Sequence, residues 1–247
     1  MRFDVITLFE PMFAAVTENG ITSRAMQRGL WSLHTWNPRE ETEDNHRTVD
    51  DRPFGGGPGM VMMAEPLART VRRIRRAGNV GRVVSFAPNG TRLTDETVRR
   101  WVAEDRDMVL ICGRYEGIDQ RFLDRYVDET VSVGDFVLSG GELAAMVLID
   151  AVVRQLPGAI KELSTLDESF STGLLDAPHY TRPEVWEGCA TPDVLLSGHH
   201  ANIAKWTREQ ALALTLRTRP DLIEKAHENG KLTEKDRLWL KKHGYPL

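Results

Sequence analysis

Cysteine is scarce in this sequence: of 247 residues, only Cys112 and Cys189 carry thiols. Neither stands in a CxxC or Cys/His spacing, which argues against zinc ribbons and disulfide frameworks and points to a reducing compartment. No run of about 18 apolar residues occurs, so no membrane span is expected. Positive charge is not in excess. The formal net charge is −4, and a nucleic-acid partner would have to be met by a local basic patch. The dinucleotide fingerprint GxGxxG and the P-loop GxxxxGK(S/T) are both missing, which disfavours an NAD or ATP site. Internal repeats and low-complexity tracts are missing too. The opening MRFDVITLF lacks the basic region, long apolar core and cleavage site of a secretory leader, so a cytoplasmic location is expected.

What is present is the composition of a folded protein, 41% hydrophobic and 28% charged, long enough for one large domain or two modest ones. Apolar runs at 2–8, 83–87, 108–112 and 127–133 read as buried strands. Helical patterns lie between and around them, at 11–17, 23–28, 64–77, 94–105 and 143–156. This alternation predicts an α/β domain with a mainly parallel sheet, in which ligands bind beyond the strand C-termini. The helix at 143–156 is apolar on nearly every face and must be buried, for which a subunit interface is one route. A polar stretch at 159–175 reads as a linker. From about residue 206 the pattern is helical to the end.

Three glycine-bearing loops follow the predicted strands: Pro88-Asn89-Gly90, the run from Cys112 through Gly113, Tyr115 and Glu116 to Gly117, and the run from Val133 to Gly141. Glycine lets a backbone approach a ligand closely, and three such loops in succession predict a ligand cleft. Four glycines and two prolines in seven residues make the stretch ending DDRPFGGGPGM neither helix nor central strand. It is either a surface loop or a lid. Arg69, Arg72, Arg73 and Arg76 recur at helical spacing and form a cationic stripe, read as a solvated face or as a phosphate-binding one. Arg154 ends the apolar helix, paired or functional. No metal-binding residues are proposed; the adjacent His199 and His200 would point apart on a helix.

Five stretches, DDRPFGGGPGM, ICGRYEGID, SVGDFVLSGGEL, GLLDAPHYTRPE and LLSGHHANIAKW, resemble in that order the signatures of bacterial tRNA (guanine-N1)-methyltransferases. The resemblance covers essentially the whole chain. It implies the SPOUT class: an α/β domain with a mainly parallel sheet and a C-terminal trefoil knot at 1–160, a linker at 161–175, and a small all-helical tRNA-binding domain at 176–247. It also implies a homodimer with the active site shared between subunits, S-adenosylmethionine as methyl donor, tRNA as substrate and a dependence on Mg2+. Pro88, Gly113, Tyr115, Glu116, Val133, Gly134, Asp135, Phe136, Val137, Leu138, Gly140 and Gly141 fall on donor-binding positions. Arg154 falls on the arginine that stabilises the target guanine. Asp50, Arg52 and Gly59 fall on the segment that closes over the base. His179, Arg182, Ser197 and His199 fall in tRNA-contacting stretches. The family's general base is an aspartate directly before Ser-Phe; here that position is Glu168, with Asp167 one residue earlier, and either carboxylate can serve. Lesser departures are Glu10-Pro11, often reversed in the family, and FAPNG where it tends to show LSPQG.

The chemistry implied asks for a proton acceptor near guanine N1, a cation near O6 and a donor held in line. A SPOUT enzyme acting on ribose would not need the acceptor. An RNA-binding module without catalysis would not need Arg154 or the linker acids. A nucleotide-binding α/β protein would bind ATP or NAD rather than the methyl donor.

Overall fold

In the computed structural model, which describes residues 1–160 and 168–245, the apolar runs form the strands of one sheet. The elements of the first 160 residues are β1 (Arg2–Ile6), α1 (Ala14–Thr17), α2 (Gly20–Gln27), β2 (Ser32–Trp36), β3 (Asp50–Asp51), β4 (Val61–Met62), α3 (Ala64–Arg76), β5 (Arg82–Arg92), α4 (Asp95–Glu104), β6 (Met108–Ile111), α5 (Gln120–Tyr126), β7 (Glu129–Ser132) and α6 (Glu142–Val153). Five strands pair in the order β2-β1-β6-β5-β7, every pair parallel. β3 and β4 make a separate antiparallel ribbon under the glycine-rich stretch.

Both faces of the sheet are covered, which is why its central strands read as continuous apolar runs. Alternation divides them between two cores. Phe3, Val5, Val84, Met108 and Leu110 pack with Trp101 of α4 and Leu148, Ile149 and Val152 of α6. Ile6, Val83, Val109 and Ile111 pack with Leu67, Val71 and Ile74 of α3 and Phe122 of α5. Helix α3 carries Glu65 in its first turn and Arg73, Arg75 and Arg76 in its last, charges placed to suit the helix dipole. Thr94 caps α4 by accepting from the Thr97 N–H.

The strand expected at 83–87 runs further, to Arg92. Phe86 and Thr91 both stand opposite Val131, so residues 87–90 leave the ladder as an excursion and the strand then resumes. Pro88 has no N–H to give the ladder, which explains the break. At Gly90 the chain returns so close to β7 that a Cβ would lie 2.6 Å from the backbone N and C of Val131.

The chain divides into two compact units, Met1–Ile160 and Lys161–Leu247. The second buries Leu174, Leu212, Ile223, Leu232 and Leu240 among helices Asp193–Leu196, His200–Thr218, Pro220–Glu228 and Glu234–Lys242. A capping box between Thr233 and Asp236 opens the last helix, and Arg208 grips the Asp236 carboxylate at 3.1 and 2.9 Å. The all-helical expectation needs correction: β8 (Val185–Trp186) and β9 (Cys189–Ala190) form an antiparallel ribbon. The two-residue turn Glu187-Gly188, with φ of 51° and 80°, supplies the left-handed pair that such hairpins require. Residues 168–175, read from sequence as part of the linker, fold onto this unit. Leu174 lies in its core, the Leu175 N–H donates to Thr215 Oγ1 at 2.9 Å, and Ser169 Oγ accepts from the Asp176 N–H at 3.0 Å.

Candidate functional site

The ends of β6, β5 and β7 lie side by side, and the three glycine-bearing segments close around a cavity of about 300 Å3. Pro88 lines it from the β5 excursion. Gly113, Tyr115 and Glu116 line it from the loop after β6. Val133, Gly134, Phe136, Val137, Leu138, Gly140 and Gly141 line it from the loop after β7. Asp135 is exposed and outside the lining, at the crest of the turn that Gly134 makes with φ of 155°. Sequence reasoning missed Phe86, Arg114, Ile118, Val131 and Ala144, which also line the cavity. Ala144 was legible in principle, since it lies one helical turn beyond Gly141.

The glycines serve different ends. A Cβ on Gly113 would meet only the tip of Ile118, at 3.2 Å. A Cβ on Gly141 would lie 2.8 Å from the Cys112 Cα, where the chain after β7 runs against the chain after β6, and on Gly140 it would strike the Arg114 side chain. Gly140 and Gly141 are therefore required by packing of protein against protein at the cavity wall.

The glycine-rich stretch 53–60 is sewn to the cavity at its base. The Glu116 N–H donates to the Met60 carbonyl at 2.9 Å, the Met62 N–H to Gly117 at 2.9 Å and the Asp119 N–H to Met62 at 3.0 Å. Gly59, at φ of 81°, leaves the room that the Glu116 carboxylate fills. Tyr115, at φ of 61°, bonds through its hydroxyl to Asp50 and accepts from Arg39 Nη2 at 3.3 Å. Burial and the Asp50 carboxylate together raise the Tyr115 pKa, so this phenol stays protonated. Asp50 and Gly59 thus stand beside the cavity mouth, while Arg52 is exposed and Phe54 almost wholly so, 97%.

Arg154 follows α6 and is half-buried. Gly141 lines the cavity at the start of this helix and Arg154 caps its end. Twelve residues of α6 separate them, about 18 Å at 1.5 Å per residue. Glu168 is half-buried at the start of the turn that folds onto the second unit, its backbone carbonyl accepting from the Ser171 N–H and hydroxyl at 3.2 and 2.6 Å. Asp167 lies outside the described residues. His179, Arg182, Ser197 and His199 are all exposed on the second unit, His179 beside Asp176 at 2.9 Å.

Three arginines of the stripe are held in ion pairs, as the solvated-face reading expects. Arg69 pairs with Glu43 and Glu65, Arg72 with Glu65, and Arg73 with Glu40 and Glu41 while lying 5.0 Å over the Trp36 ring. Glu65 stands on α3 itself, and the other carboxylates are brought by the 38–41 turn and the loop beyond it. Cys112 is no nucleophile: burial first, then the Glu142 carboxylate, push its thiol well above the ordinary range. Among the described residues no group of three or more His, Cys, Asp or Glu stands together to hold a metal.

Comparison with known proteins gives a single answer. Residues 1–225 match the family model described as tRNA (Guanine-1)-methyltransferase TrmD. A tRNA (guanine-N(1)-)-methyltransferase of Janthinobacterium sp. is 56% identical over 246 residues, spanning 97% of this chain and 98% of that protein. Proteins of the same name from Ralstonia nicotianae and Burkholderia mallei are 57% and 55% identical, each over 97% of this chain and over 92% and 93% of their own lengths.

Proposed function

The chain belongs to the tRNA (guanine-1)-methyltransferase family, and from that premise we propose that it transfers a methyl group from S-adenosylmethionine to N1 of the guanosine directly 3′ of the anticodon, position 37, of tRNA. The observation that carries the reading is the convergence of three glycine-bearing loops from adjacent parallel strands on one cavity. The cavity suits the donor. Phe86, Val131, Leu138 and Ala144 offer apolar walls to a purine, backbone groups of the glycine loops offer hydrogen bonds to its edge, and Glu116 brings a carboxylate to a cationic sulfonium. When bound there, the donor supplies its methyl carbon as an electrophile.

The residues of the chain then have two tasks. Guanine N1 carries a proton at neutral pH and becomes nucleophilic only when that proton leaves. We assign its acceptance to Glu168, with Asp167 as the alternative; a positioned carboxylate contributes typically about 10²–10⁴ in rate. Charge left on O6 is stabilised by Arg154. Asp50, Arg52 and Gly59 close over the base, which must leave its stack to enter.

Because ten residues of α6 separate Arg154 from Ala144, the last residue of that helix in the lining, about 15 Å along the axis, we assign it to the site of a second copy, in a homodimer. Leu143 and Val147 support that arrangement: they stand one helical turn apart on α6 and are 47% and 53% exposed, while Ala144, Ala145, Leu148, Ile149, Val152 and Val153 of the same helix are buried. We assign donor binding to residues 1–160 and RNA binding to 176–247, with His179, Arg182, Ser197 and His199 among the contacts; of the stretch 161–175 read as the connection, residues 168–175 pack with the second unit. The knot that the family resemblance implies would lie between β5 and α6. Support comes from the Gly141 N–H bonding to the Gly113 carbonyl at 2.9 Å, where the two loops run together. The resemblance also implies Mg2+; the described residues offer no cluster for it, and no step is routed through the ion. No described helix is long and apolar enough to cross a membrane, and we place the reaction in the cytoplasm. Incubation of the protein with labelled donor and a tRNA transcript, followed by mass-spectrometric mapping, tests the proposal. Label on N1 of the position-37 guanine supports it; label on a ribose, or none, refutes it.

A further inference from the structure

Glu142 opens α6 with its side chain wholly buried, 0% exposed. A carboxylate out of water needs partners, and it has two from different parts of the fold. Thr7 Oγ1, just beyond β1, donates to Oε1 at 2.9 Å. Arg114 Nε, from the loop after β6, lies 2.9 Å from Oε2, an ion pair whose N–H is not aimed at the oxygen, so the contact is held by charge and not by a hydrogen bond. The Thr7 hydroxyl in turn accepts from the Phe9 N–H at 2.9 Å, so its proton is directed at Glu142.

Arg114 reaches on from this pair. Its Nη1 donates to the Ser139 carbonyl at 3.1 Å, and its guanidinium lies 4.3 Å over the Phe9 ring. It occupies the space left by the missing side chain of Gly140. The rigid fork of a guanidinium can hold a carboxylate and a carbonyl at once; an ammonium on a flexible stem cannot do so with fixed geometry. One buried carboxylate and one arginine therefore lock together the end of β1, the loop after β6 and the 139–141 turn before α6. The last two are walls of the cavity. An apolar pair could fill the same volume with equal or greater stability. What the ion pair adds is a fixed spacing between the two walls.

We propose that Arg114 and Glu142 are a positioning pair for the methyl donor, setting the separation of the 113–117 and 139–141 walls. The proposal rests on the reading of this cavity as the donor site. It predicts an effect on donor affinity that exceeds any effect on the chemical step, since Glu142 is wholly buried and Arg114 is engaged by Glu142, Ser139 and Phe9.

Glu142→Gln keeps the size and the Thr7 partner but removes the charge. Arg114→Lys keeps the charge but loses the fork. Calorimetric titration with S-adenosylmethionine and with S-adenosylhomocysteine should show each variant binding at least tenfold more weakly than wild type. The single-turnover rate at saturating donor should stay within about threefold, and the KM for tRNA should not move. The double variant should bind no more weakly than the worse single one, because the two residues act as a unit. Donor affinity within twofold of wild type in a folded variant overturns the proposal. So does a rate at saturating donor that falls as far as the affinity, or effects that add in the double variant. If Glu142→Gln gives no cooperative melting transition, Arg114→Lys, which leaves the carboxylate beside a cation, decides alone by the same titration. Wild-type protein that binds neither nucleoside overturns the donor reading itself and the proposal with it.

Discussion

Gly90→Ala separates a wall of the site from its lining. The excursion at 87–90 returns to β5 where an alanine Cβ would lie 2.6 Å from the N and C of Val131 and 2.7 Å from the carbonyl carbon of Thr130. Ordinary carbon contacts lie at about 3.5–4.0 Å, so the overlap is about 1 Å against three atoms at once. All three belong to the backbone of β7, so no side-chain rotation relieves it and β5 and β7 must part. Overpacking of this kind costs about 1–3 kcal/mol. For a unit of this size, 2 kcal/mol corresponds to a fall in melting temperature of about 4–8 °C. The same displacement moves Pro88 and Val133 on opposite sides of the cavity, and donor affinity should fall about tenfold, the equivalent of 1.4 kcal/mol. Gly113→Ala is the control. Its Cβ meets only Ile118 Cδ1 and Cγ1, at 3.2 and 3.3 Å, and that side chain can turn. Neither glycine has a left-handed φ, so the comparison isolates contact from backbone strain. Gly113→Ala should be neutral or stabilising by about 0.5 kcal/mol through the unfolded chain. Calorimetric melting and donor titration of both variants measure the difference. Equal melting temperatures and equal donor affinities would refute the reasoning.

Single-turnover methylation should fall about 10²-fold for Glu168→Gln with donor binding intact, while Asp167→Asn keeps most of its rate; the reverse order would exchange their roles. Arg154→Ala and Ala87→Trp, which would fill the cavity that Ala87 lines beside Pro88, should each be inactive alone, yet a mixture of the two chains should recover activity if Arg154 serves the partner's cavity; no recovery would return Arg154 to its own chain. Arg73→Ala should leave tRNA affinity within about twofold, because Glu40 and Glu41 already neutralise it. A steep loss of affinity would restore the arginine stripe as an RNA contact. Asp236→Ala should destabilise the second unit by about 3 kcal/mol, through the lost cap and the stranded Arg208. Burial acts to raise the Asp236 pKa, but its bonds to Arg208 and Thr233 outweigh it and the net shift is downward. Its contribution is therefore present above the ordinary aspartate value of about 4 and is lost as pH falls through the lower folded value. Acid melting curves of wild type and variant should converge below that range, and parallel curves would contradict the assignment.

The parallel sheet was legible because Val109, Leu110 and Ile111 have no polar face to offer water, and that is the pattern of a strand covered on both sides. The excursion in β5 was not, because the pairing of both Phe86 and Thr91 with Val131 is a long-range fact with no local signature. The ribbon at 185–190 carried its signal in Glu187-Gly188, but two-residue strands are too short for alternation to register. At the site, Tyr115 and Glu116 could be picked out from their motif, whereas Arg114 directly before them could not be given a role. Its partners, Thr7 through Glu142 and the Ser139 carbonyl, come from positions that only the fold brings together. The surroundings of the arginine stripe were legible only in part. Helical spacing shows where cations stand and that Glu65 lies four residues from Arg69, but Glu40, Glu41 and Glu43 arrive from about thirty residues away in sequence.

The length of α6 links the proposed donor cavity, the proposed subunit arrangement and the arginine assigned to the target base. The helix begins where Gly141 and Glu142 join the loops that line the cavity and ends at Arg154. A straight helix of this length cannot bring both ends to one guanine, since the methyl carbon, N1 and O6 lie within a few ångströms of one another in any in-line transfer. A monomer could hold the donor but would leave the Arg154 backbone about 15 Å along the helix from Ala144, the last α6 residue of the lining. A second copy packed along α6, over Leu143 and Val147, would run its own helix past the first and could present its Arg154 at the first copy's cavity. In that arrangement the same apolar face that stabilises the dimer sets the distance between donor and arginine, so catalysis and association depend on one surface.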